Sequence, residues 1–335
     1  MIDAFLTRIG FIKCYVEYGV YIKKCDDRDM IIICLYVDDL LITGSNKAEI
    51  AAIKKSLSSE FEMSDLGRLA YFLGIEFVQH NDGIFMHQKK YILEVLERFN
   101  LLKCNSADTP VEANLKLGAC EEEAKVDGTV FRQLVGCLRF LCHSRPEISF
   151  GVGLVSRHMS SPRHSHLFAA KRILRYLKGT LDHGVLFPYK KSETKQNALH
   201  LEAYTDSDWC GDQSSKKQDV VALSTCEAEY IAACNGACQG VWIQALMKEL
   251  SLSNGEAVEV KVDNQSAINL AKNLVFHGRS KHIETKFHYL RDQVAKGKIK
   301  LQHYVTNLQI ADVLTKPLKI ARFRELRDKM NVKVW

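Results

Sequence analysis

An adjacent pair of aspartates is the first feature of this sequence that could perform chemistry. Asp38 and Asp39 lie between two apolar runs, 30–37 and 40–43, whose β-branched and aromatic residues predict strands. One interpretation is that the pair simply forms the turn of a hairpin. The alternative is that the two carboxylates bind Mg²⁺, which prefers oxygen ligands. Two such ions can clamp the attacking and leaving oxygens of a phosphoryl-transfer reaction.

A second set of acidic residues is spread over the last 130 positions, each at the end of a predicted strand or on a predicted helix. The set is Asp206, Glu229, Asp263 and Asp312. Asp208 competes with Asp206, because residues two apart share one face of a strand. Glu227 is a weaker rival of Glu229, because residues two apart on a helix point in different directions. Any one of these acids alone is typical of a solvated surface.

Hydrophobic patterning divides the chain into three blocks that would position these acids. The first block has predicted strands and one helix, at 19–22, 30–37, 40–43, 47–61 (the helix), 71–78 and 83–87. The second is helical, at 88–99, 131–142 and 165–178. After a polar linker, 189–197, the third mixes strands (199–205, 257–262, 298–305) with helices (225–250, 265–273, 281–294 and one from about 309). We expect domains at 1–90, 91–190 and 198–320.

Composition is that of an ordinary globular protein, with 47% hydrophobic and 26% charged residues, which excludes a disordered chain. The net charge of +6 permits a polyanionic partner without requiring one. The 11 cysteines are scattered and include no Cys-x-x-Cys pair, which favours reduced thiols in an intracellular compartment. Cys234 and Cys238 are one helical turn apart, and buried thiols are the simpler interpretation than zinc ligands.

No segment predicts secretion or membrane insertion. The first six residues include an acid and lack a long apolar core, unlike a signal peptide. The longest apolar stretch, 30–42, is interrupted by Asp38 and Asp39 and is shorter than the ~20 residues of a membrane helix. We therefore expect a protein of the cytoplasm or nucleus that is neither secreted nor bound to a membrane.

The sequence resembles the polymerase of copia-type retrotransposons along nearly its whole length. The segment Tyr36-Val37-Asp38-Asp39 is similar to the active-site motif of reverse transcriptases. Further similar segments follow in family order, at 65–67, 71–76, 88–91, 109–110, 134–138, 144–149, 172–180, 203–209, 227–230, 262–267 and 310–316. The resemblance implies the C-terminal part of a Pol polyprotein. Its fold would be α+β and α/β: a partial reverse-transcriptase palm, a helical thumb and connection, then a ribonuclease H-like domain.

The same resemblance implies roles for the acidic residues. Asp38 and Asp39 would belong to the polymerase site. Asp206 would lie on the first strand of the ribonuclease H-like domain, Glu229 on its first helix, Asp263 at the end of its fourth strand and Asp312 on its last helix. Together these four would bind two Mg²⁺ ions and hydrolyse RNA in RNA–DNA hybrids.

Basic residues in two predicted helical regions are candidates for contacts with nucleic-acid phosphates. They are Arg172, Arg175, Lys178, Arg279 and Lys281. The simpler interpretation of each run is a solvated helix face. The alternative is a surface that follows the backbone of an RNA–DNA hybrid or another nucleic acid, with strongly salt-dependent binding.

Two departures from the family pattern lead to further expectations. Only 37 residues precede Asp38, and their aspartates (Asp3, Asp26, Asp27 and Asp29) lack the strand context of the third polymerase ligand. We therefore expect a truncated palm without fingers, inactive as a polymerase unless further polyprotein segments or a partner subunit complete it. An exposed apolar patch near 31–41 should accompany the truncation.

The second departure is a shortened segment between Asp206 and Glu229, which are separated by only 22 residues. This spacing predicts that the ribonuclease H-like sheet lacks one strand. Three functions stay open at this point: a polyprotein fragment with a ribonuclease H site, a catalytically dead remnant that binds nucleic acid, or a product without a stable fold.

Overall fold

The computed structural model describes residues 1–25, 29–113, 115, 117–118, 123–189, 199–207, 222, 224–253, 255–272 and 284–335. Across these residues the protein is a mixture of helices and sheets, with three separate β-sheets. Within the same residues, no helix is both long enough and apolar enough to cross a membrane.

The first sheet has four antiparallel strands in sequence order. They are β1 (Ile12–Lys13), β2 (Val20–Lys24), β3 (Met30–Tyr36) and β4 (Asp39–Gly44). Helices α1 (Ile2–Arg8) and α2 (Lys47–Glu60) cover one face. The side chain of Asn46 caps α2 by accepting hydrogen bonds from the backbone N–H groups of Ala48 and Glu49.

The apolar patch expected near 31–41 is confined to one face of the sheet and to the end of the hairpin. Ile31 and Ile33 are fully buried, because alternate residues of β3 point toward α1 and α2 and join their core. Ile32, on the opposite face, is half-buried. Only the end of the hairpin is strongly exposed, at Tyr36 and Val37.

The second sheet is antiparallel and combines strands from distant parts of the chain. Its order is β12 (Val332–Val334), β8 (His183–Pro188), β7 (Gly83–His87), β6 (Ile75–His80) and β5 (Tyr71–Phe72). The single strand predicted at 71–78 is wrong, because Leu73 and Gly74 form a turn with φ angles of 50° and 78°. A Cβ atom on Gly74 would lie 2.7 Å from the Phe140 ring, so the turn requires glycine.

Helices pack beside this sheet around one large core. They are α3 (Lys89–Arg98), α4 (Gly128–Leu141), α5 (Ser149–Ser156), α6 (His164–Gly179) and α11 (Ile320–Lys329). Phe323 and Leu326 of α11 are buried in this core, as is Val313 of the short helix α10 (Asp312–Thr315). The end of the chain therefore belongs to the helical unit formed by residues 89–179.

The third sheet is parallel, with β10 (Val258–Val262) between β11 (Ile299–His303) and β9 (Glu202–Tyr204). Three helices share its core: α7 (Thr225–Glu249), α8 (Gln265–Lys272) and α9 (Glu284–Ala295). Glycines let α7 lie close to the sheet, since a Cβ on Gly236 would come within 2.4 Å of Thr205 and one on Gly240 within 2.9 Å of Val258. The segment for which we expect a missing strand lies outside the described residues.

Replacing Leu326 with alanine tests whether α11 is integral to the helical core. Leu326 is fully buried, so Leu326→Ala should lower the free energy of unfolding by about 2 to 5 kcal/mol. The control is Ile320→Ala on the same helix, where the side chain is exposed and the change should be within about 0.5 kcal/mol. Urea denaturation measures both, and equal small effects would contradict this packing.

Candidate metal centre

The ends of two neighbouring parallel strands bring two of the acidic residues together. Asp206 follows β9 and Asp263 follows β10 directly, and in the register of these strands Tyr204 is opposite Lys261. The carboxyl ends of parallel strands meet at one edge of the sheet, so both side chains reach the same place. Gln309 fixes this edge, because its buried side-chain amide donates to the Thr205 carbonyl at 3.0 Å.

Helix α7 supplies the third carboxylate. The helix begins after Ser224, whose hydroxyl accepts a hydrogen bond from the backbone N–H of Glu227 at 3.2 Å. Glu229, within the first turns, is 6% exposed and Asp206 is 8% exposed. Carboxylate oxygens of Asp206, Glu229 and Asp263 all lie within 4.8 Å of one another. The structure thus assembles three acids from positions far apart in the sequence.

This spacing is close to that required by a shared divalent cation. Mg²⁺ binds oxygen at 2.0–2.1 Å, so two oxygens on opposite sides of one ion are about 4.2 Å apart. If two of the carboxylate oxygens are the full 4.8 Å apart, they would have to move roughly half an ångström closer to reach this separation. The donor set is entirely oxygen, which fits Mg²⁺ or Mn²⁺ better than softer metals.

Glu229 shows most directly that the site suits a cation. Its Oε1 accepts hydrogen bonds from the Ser207 backbone N–H at 3.0 Å and from the Ser207 hydroxyl at 2.8 Å. Its Oε2 is buried and has no hydrogen-bond partner among the described residues. Burial raises the pKa of Glu229 to about 7, and the nearby carboxylates of Asp263 and Asp206 add to the rise against the lowering effect of Ser207. A bound cation would relieve the burial and repulsion at once.

Asp312 reaches the site through a lysine. Lys316 Nζ lies 2.9 Å from Asp206 Oδ1 and 2.8 Å from Asp312 Oδ1. The Thr315 hydroxyl donates to Asp206 Oδ2, and Arg322 lies 3.7 Å from Asp312 Oδ2. Asp312 is therefore joined to Asp206 by an ion-pair bridge, outside the group of three carboxylates.

The electrostatics of Asp206 and Lys316 follow from this bridge. Burial raises the pKa of Asp206 despite the opposing hydrogen bonds from Thr315 and Lys316. Burial by itself would lower the pKa of Lys316, but hydrogen bonds to Asp312 and Asp206 outweigh it and raise the pKa. Lys316 thus stays positively charged within the site.

Sequence reasoning gave no role to four polar residues that shape the site: Ser207, Gln309, Thr315 and Lys316. Three of them, all but Gln309, lie within the similar segments 203–209 and 310–316. For Lys316 a further signal was available, since a lysine four residues after an aspartate on a helix is placed to pair with it. The partners of Ser207 and Gln309, Glu229 and Thr205, are distant in the sequence, so spacing gave no comparable signal for them.

Asp38 and Asp39 occupy a different setting from the group of Asp206, Glu229 and Asp263, of which two are buried and the third is half-buried. Tyr36 pairs with Asp39, so Val37 and Asp38 form the two-residue connection of the β3–β4 hairpin. Both aspartates are exposed. Among the described residues, no third His, Cys, Asp or Glu completes a possible three-ligand group with them.

The other aspartates before Asp38 are engaged elsewhere or lie outside the described residues. Asp3 accepts a hydrogen bond from the Tyr21 hydroxyl at 2.8 Å, and Asp29 accepts one from Ser45 at 2.7 Å. Asp26 and Asp27 are outside the described part of the chain.

The basic residues of α6 hold a neighbouring segment of the chain. Arg172 pairs with Glu112 at 2.7 Å, Arg175 donates to the Asn105 carbonyl at 2.7 Å, and Lys178 donates to the carbonyl of Cys104. All three basic side chains belong to half-buried residues. They anchor residues 104–112 on the helix. Arg279 and Lys281 lie outside the described residues.

A second group of possible ligands, His200, Glu202 and Glu259, lies near the start of β9 and β10. Lys300 and Lys261 neutralise Glu259, at 2.8 and 3.1 Å, and their hydrogen bonds lower its pKa to about 2. Because lysines already neutralise Glu259, this group is a weaker candidate for a cation site than Asp206, Glu229 and Asp263. Cys234 and Cys238 take part in no three-ligand group among the described residues.

Comparison with known proteins agrees with the sequence motifs. The reverse transcriptase (RNA-dependent DNA polymerase) family matches residues 1–113. The retrovirus-related Pol polyprotein from transposon RE1 of Arabidopsis thaliana is 35% identical over 98% of this chain, and that from transposon TNT 1-94 of Nicotiana tabacum is 35% identical over 96%. This chain belongs to the copia-type retrotransposon Pol polyprotein family. It spans 23% and 26% of the length of these two relatives.

A shorter relative covers much of the same family region. An uncharacterized mitochondrial protein of Arabidopsis thaliana is 37% identical over 63% of this chain, a match that includes 93% of its own length. Among solved structures there is no significant match. The assignment of the chain to the Pol family therefore rests on sequence similarity.

The turn beside Asp38 stores backbone strain that can be measured. Val37 has a φ of 53°, in the left-handed region that is unfavourable for a β-branched residue. Val37→Gly should raise the free energy of unfolding by about 1 kcal/mol. Val78→Gly, within β6, is the control and should lower it by about the same amount or more. Chemical denaturation distinguishes these opposite signs, and a loss of stability in both variants would contradict the strain.

The raised pKa of Glu229 predicts a pH dependence of stability in metal-free protein. The folded state retains a proton between pH 4.5 and about 7 that the unfolded state has released, so this contribution to stability falls as pH rises through that window. Glu229→Gln should therefore gain stability relative to the unmodified protein between pH 4.5 and 7. Thermal unfolding with a chelator present measures the difference.

Ser207→Ala tests the same titration by raising the pKa of Glu229 further, where Glu229→Gln removes the titrating group. Loss of the hydroxyl removes a hydrogen bond that favours ionised Glu229, so the decline in stability should extend to higher pH. A pH profile of Glu229→Gln parallel to that of the unmodified protein would show that Glu229 does not titrate in this window.

Proposed function

We propose that residues 198–320 form a ribonuclease H-like domain that hydrolyses the RNA strand of RNA–DNA hybrids as part of a copia-type Pol polyprotein. The observation that carries the proposal is the convergence of Asp206, Glu229 and Asp263, with one buried Glu229 oxygen left without a partner among the described residues. Buried like charges at this distance are unfavourable without a cation, so their assembly favours a function that uses one.

The strand and helix order supports this proposal. Asp206 follows β9, Glu229 lies on the next described helix, Asp263 follows the neighbouring parallel strand and Asp312 begins α10. This is the order of acids that the family resemblance implies for a ribonuclease H-like domain. The position of Asp312, bridged through Lys316, is the one departure from a simple cluster of four ligands.

The reaction we propose depends on how the chain prepares the carboxylates. Asp206, Glu229 and Asp263 would hold Mg²⁺, which when bound supplies Lewis-acid activation of a phosphodiester and of water. Ser207 fixes the orientation of Glu229 with two hydrogen bonds, and Thr315 fixes Asp206. Burial of Asp206 and Glu229 limits access of bulk water and strengthens every interaction within the site.

We further propose that residues 1–90 represent a partial reverse-transcriptase palm and 91–190 the thumb and connection. In the 335-residue polypeptide we expect no polymerase activity, because exposed Asp38 and Asp39 lack a third ligand among the described residues. Other Pol segments or a partner subunit could supply that ligand. The second sheet joins these two regions, since it contains strands from 71–87 and 183–188, and it adds a further strand from 332–334.

Cleavage of a labelled RNA–DNA hybrid in the presence of Mg²⁺ tests the proposed function. The unmodified chain should cut the RNA strand, and Asp263→Asn should reduce cleavage to background because one carboxylate of the centre is lost. Asp292→Asn is the matched control, since Asp292 is on the same unit but forms a surface ion pair with Lys296 at 2.7 Å. Gel electrophoresis of the products measures all three proteins.

Two outcomes would reject ribonuclease activity. Equal cleavage by the unmodified chain and Asp263→Asn would indicate a contaminating nuclease. No cleavage by the unmodified chain, together with hybrid binding that weakens steeply with salt, would favour the alternative of a non-catalytic nucleic-acid-binding remnant. The contacts of Arg172, Arg175 and Lys178 with the 104–112 segment make α6 a less available phosphate surface for that alternative.

A further inference from the structure

Lys316 bridges two acidic residues at the candidate metal centre. Its ammonium group lies between Asp206 and Asp312, within 2.9 Å of an oxygen from each. The side chain is 35% exposed, while the side chains of its two partners are 1% and 10% exposed. The lysine therefore reaches from the surface into a buried gap between two carboxylates.

The gap that Lys316 fills has the properties of a second cation position. It shares Asp206 with the three-carboxylate group, and paired catalytic metals about 3.5–4 Å apart commonly share a carboxylate in this way. A divalent ion bound to both Asp206 and Asp312 would need oxygen ligands at about 2.0–2.1 Å. It would overlap the ammonium group, which is held 2.8 Å from Asp312 and 2.9 Å from Asp206. Lysine and a second ion therefore exclude each other.

The charges of the site leave a place for a cation besides Lys316. Four carboxylates surround the centre when Asp206, Glu229, Asp263 and Asp312 are ionised. Lys316 neutralises part of this charge, whereas Arg322, 3.7 Å from Asp312, is shared with Glu325 at 3.0 Å. The remaining negative charge favours a divalent cation beside the lysine, because buried charge is tolerated only when it is compensated.

We propose that Lys316 is a built-in substitute for the second divalent ion, so that this protein binds one divalent cation where a two-metal site would bind two. The inference rests on the proposed metal centre of Asp206, Glu229 and Asp263, whose buried and unpartnered Glu229 oxygen points independently to a cation. Lys316 acts on the centre by holding Asp206 and Asp312 and by occupying the gap between them.

Titration of the full chain with Mn²⁺ tests this inference without any assay of activity. Electron paramagnetic resonance of free Mn²⁺ gives the number of ions bound per chain. The unmodified protein should bind one ion, and Lys316→Met should bind two. Lys319→Met, a nearby exposed lysine changed in the same way, should still bind one. Lys316→Gln is a second variant that removes the charge but keeps a polar side chain, and it should also bind two.

The outcomes separate this inference from the proposed function. If the unmodified protein binds two ions, the proposed role of Lys316 is wrong. The same conclusion follows if folded Lys316→Met and Lys316→Gln each bind a single ion. Neither result would contradict the three-carboxylate centre. Asp263→Asn tests that centre, since it should lose the ion bound by the unmodified protein. Unchanged Mn²⁺ binding by Asp263→Asn, or no binding by any of these proteins, would overturn both.

Discussion

Electrostatic repulsion between carboxylates held close together in a largely buried site is the constraint on which the C-terminal half of this protein depends. Asp206, Glu229 and Asp263 would separate if the scaffold allowed it, because each loses hydration and faces like charges. The scaffold prevents this with close backbone packing. Gly236 and Gly240 let α7 approach Thr205 and Val258, where a Cβ atom would come within 2.4 and 2.9 Å of these side chains.

The same site also couples two parts of the molecule. Helix α10 contributes Val313 to the helical core around α3–α6 and α11, while Asp312 on the same turn faces Lys316 and the carboxylate group. Arg322 of α11 extends this connection to Asp312. The positions of the ion-pair bridge and of the helical core are therefore set together, and a change in the packing of α10 would move both.

The two acidic motifs of the chain differ in how much structure supports them. Asp38 and Asp39 lie in an exposed hairpin whose strain is confined to Val37, and local pairing of β3 with β4 is enough to form it. The buried acids instead need a parallel sheet, a helix packed on it and a segment from near the C-terminus. For this reason the first motif can be recognised in a short stretch of sequence, whereas the second forms only when distant parts of the chain have packed together.

Local sequence determined most helices and strands of this protein, because apolar periodicity and turn residues act over a few positions. The bounds of α2, α3, α6 and α7 lie within about two residues of those expected, and the Asp38–Asp39 hairpin was predicted. The break at Leu73–Gly74 was missed, because it depends on a turn that interrupts an otherwise strand-like pattern.

Only the tertiary structure decided which polar groups meet. Motif order indicated Asp206, Glu229, Asp263 and Asp312 as a set, but not that Lys316 separates the last from the other three, nor that Ser207 holds Glu229. Likewise, the strand at 332–334 pairs with β8 in the second sheet and Leu326 packs in the helical core, both through contacts with residues far earlier in the chain. Such contacts depend on distance in space, and the spacing of residues along a sequence does not fix that distance until the sheets and helices have packed.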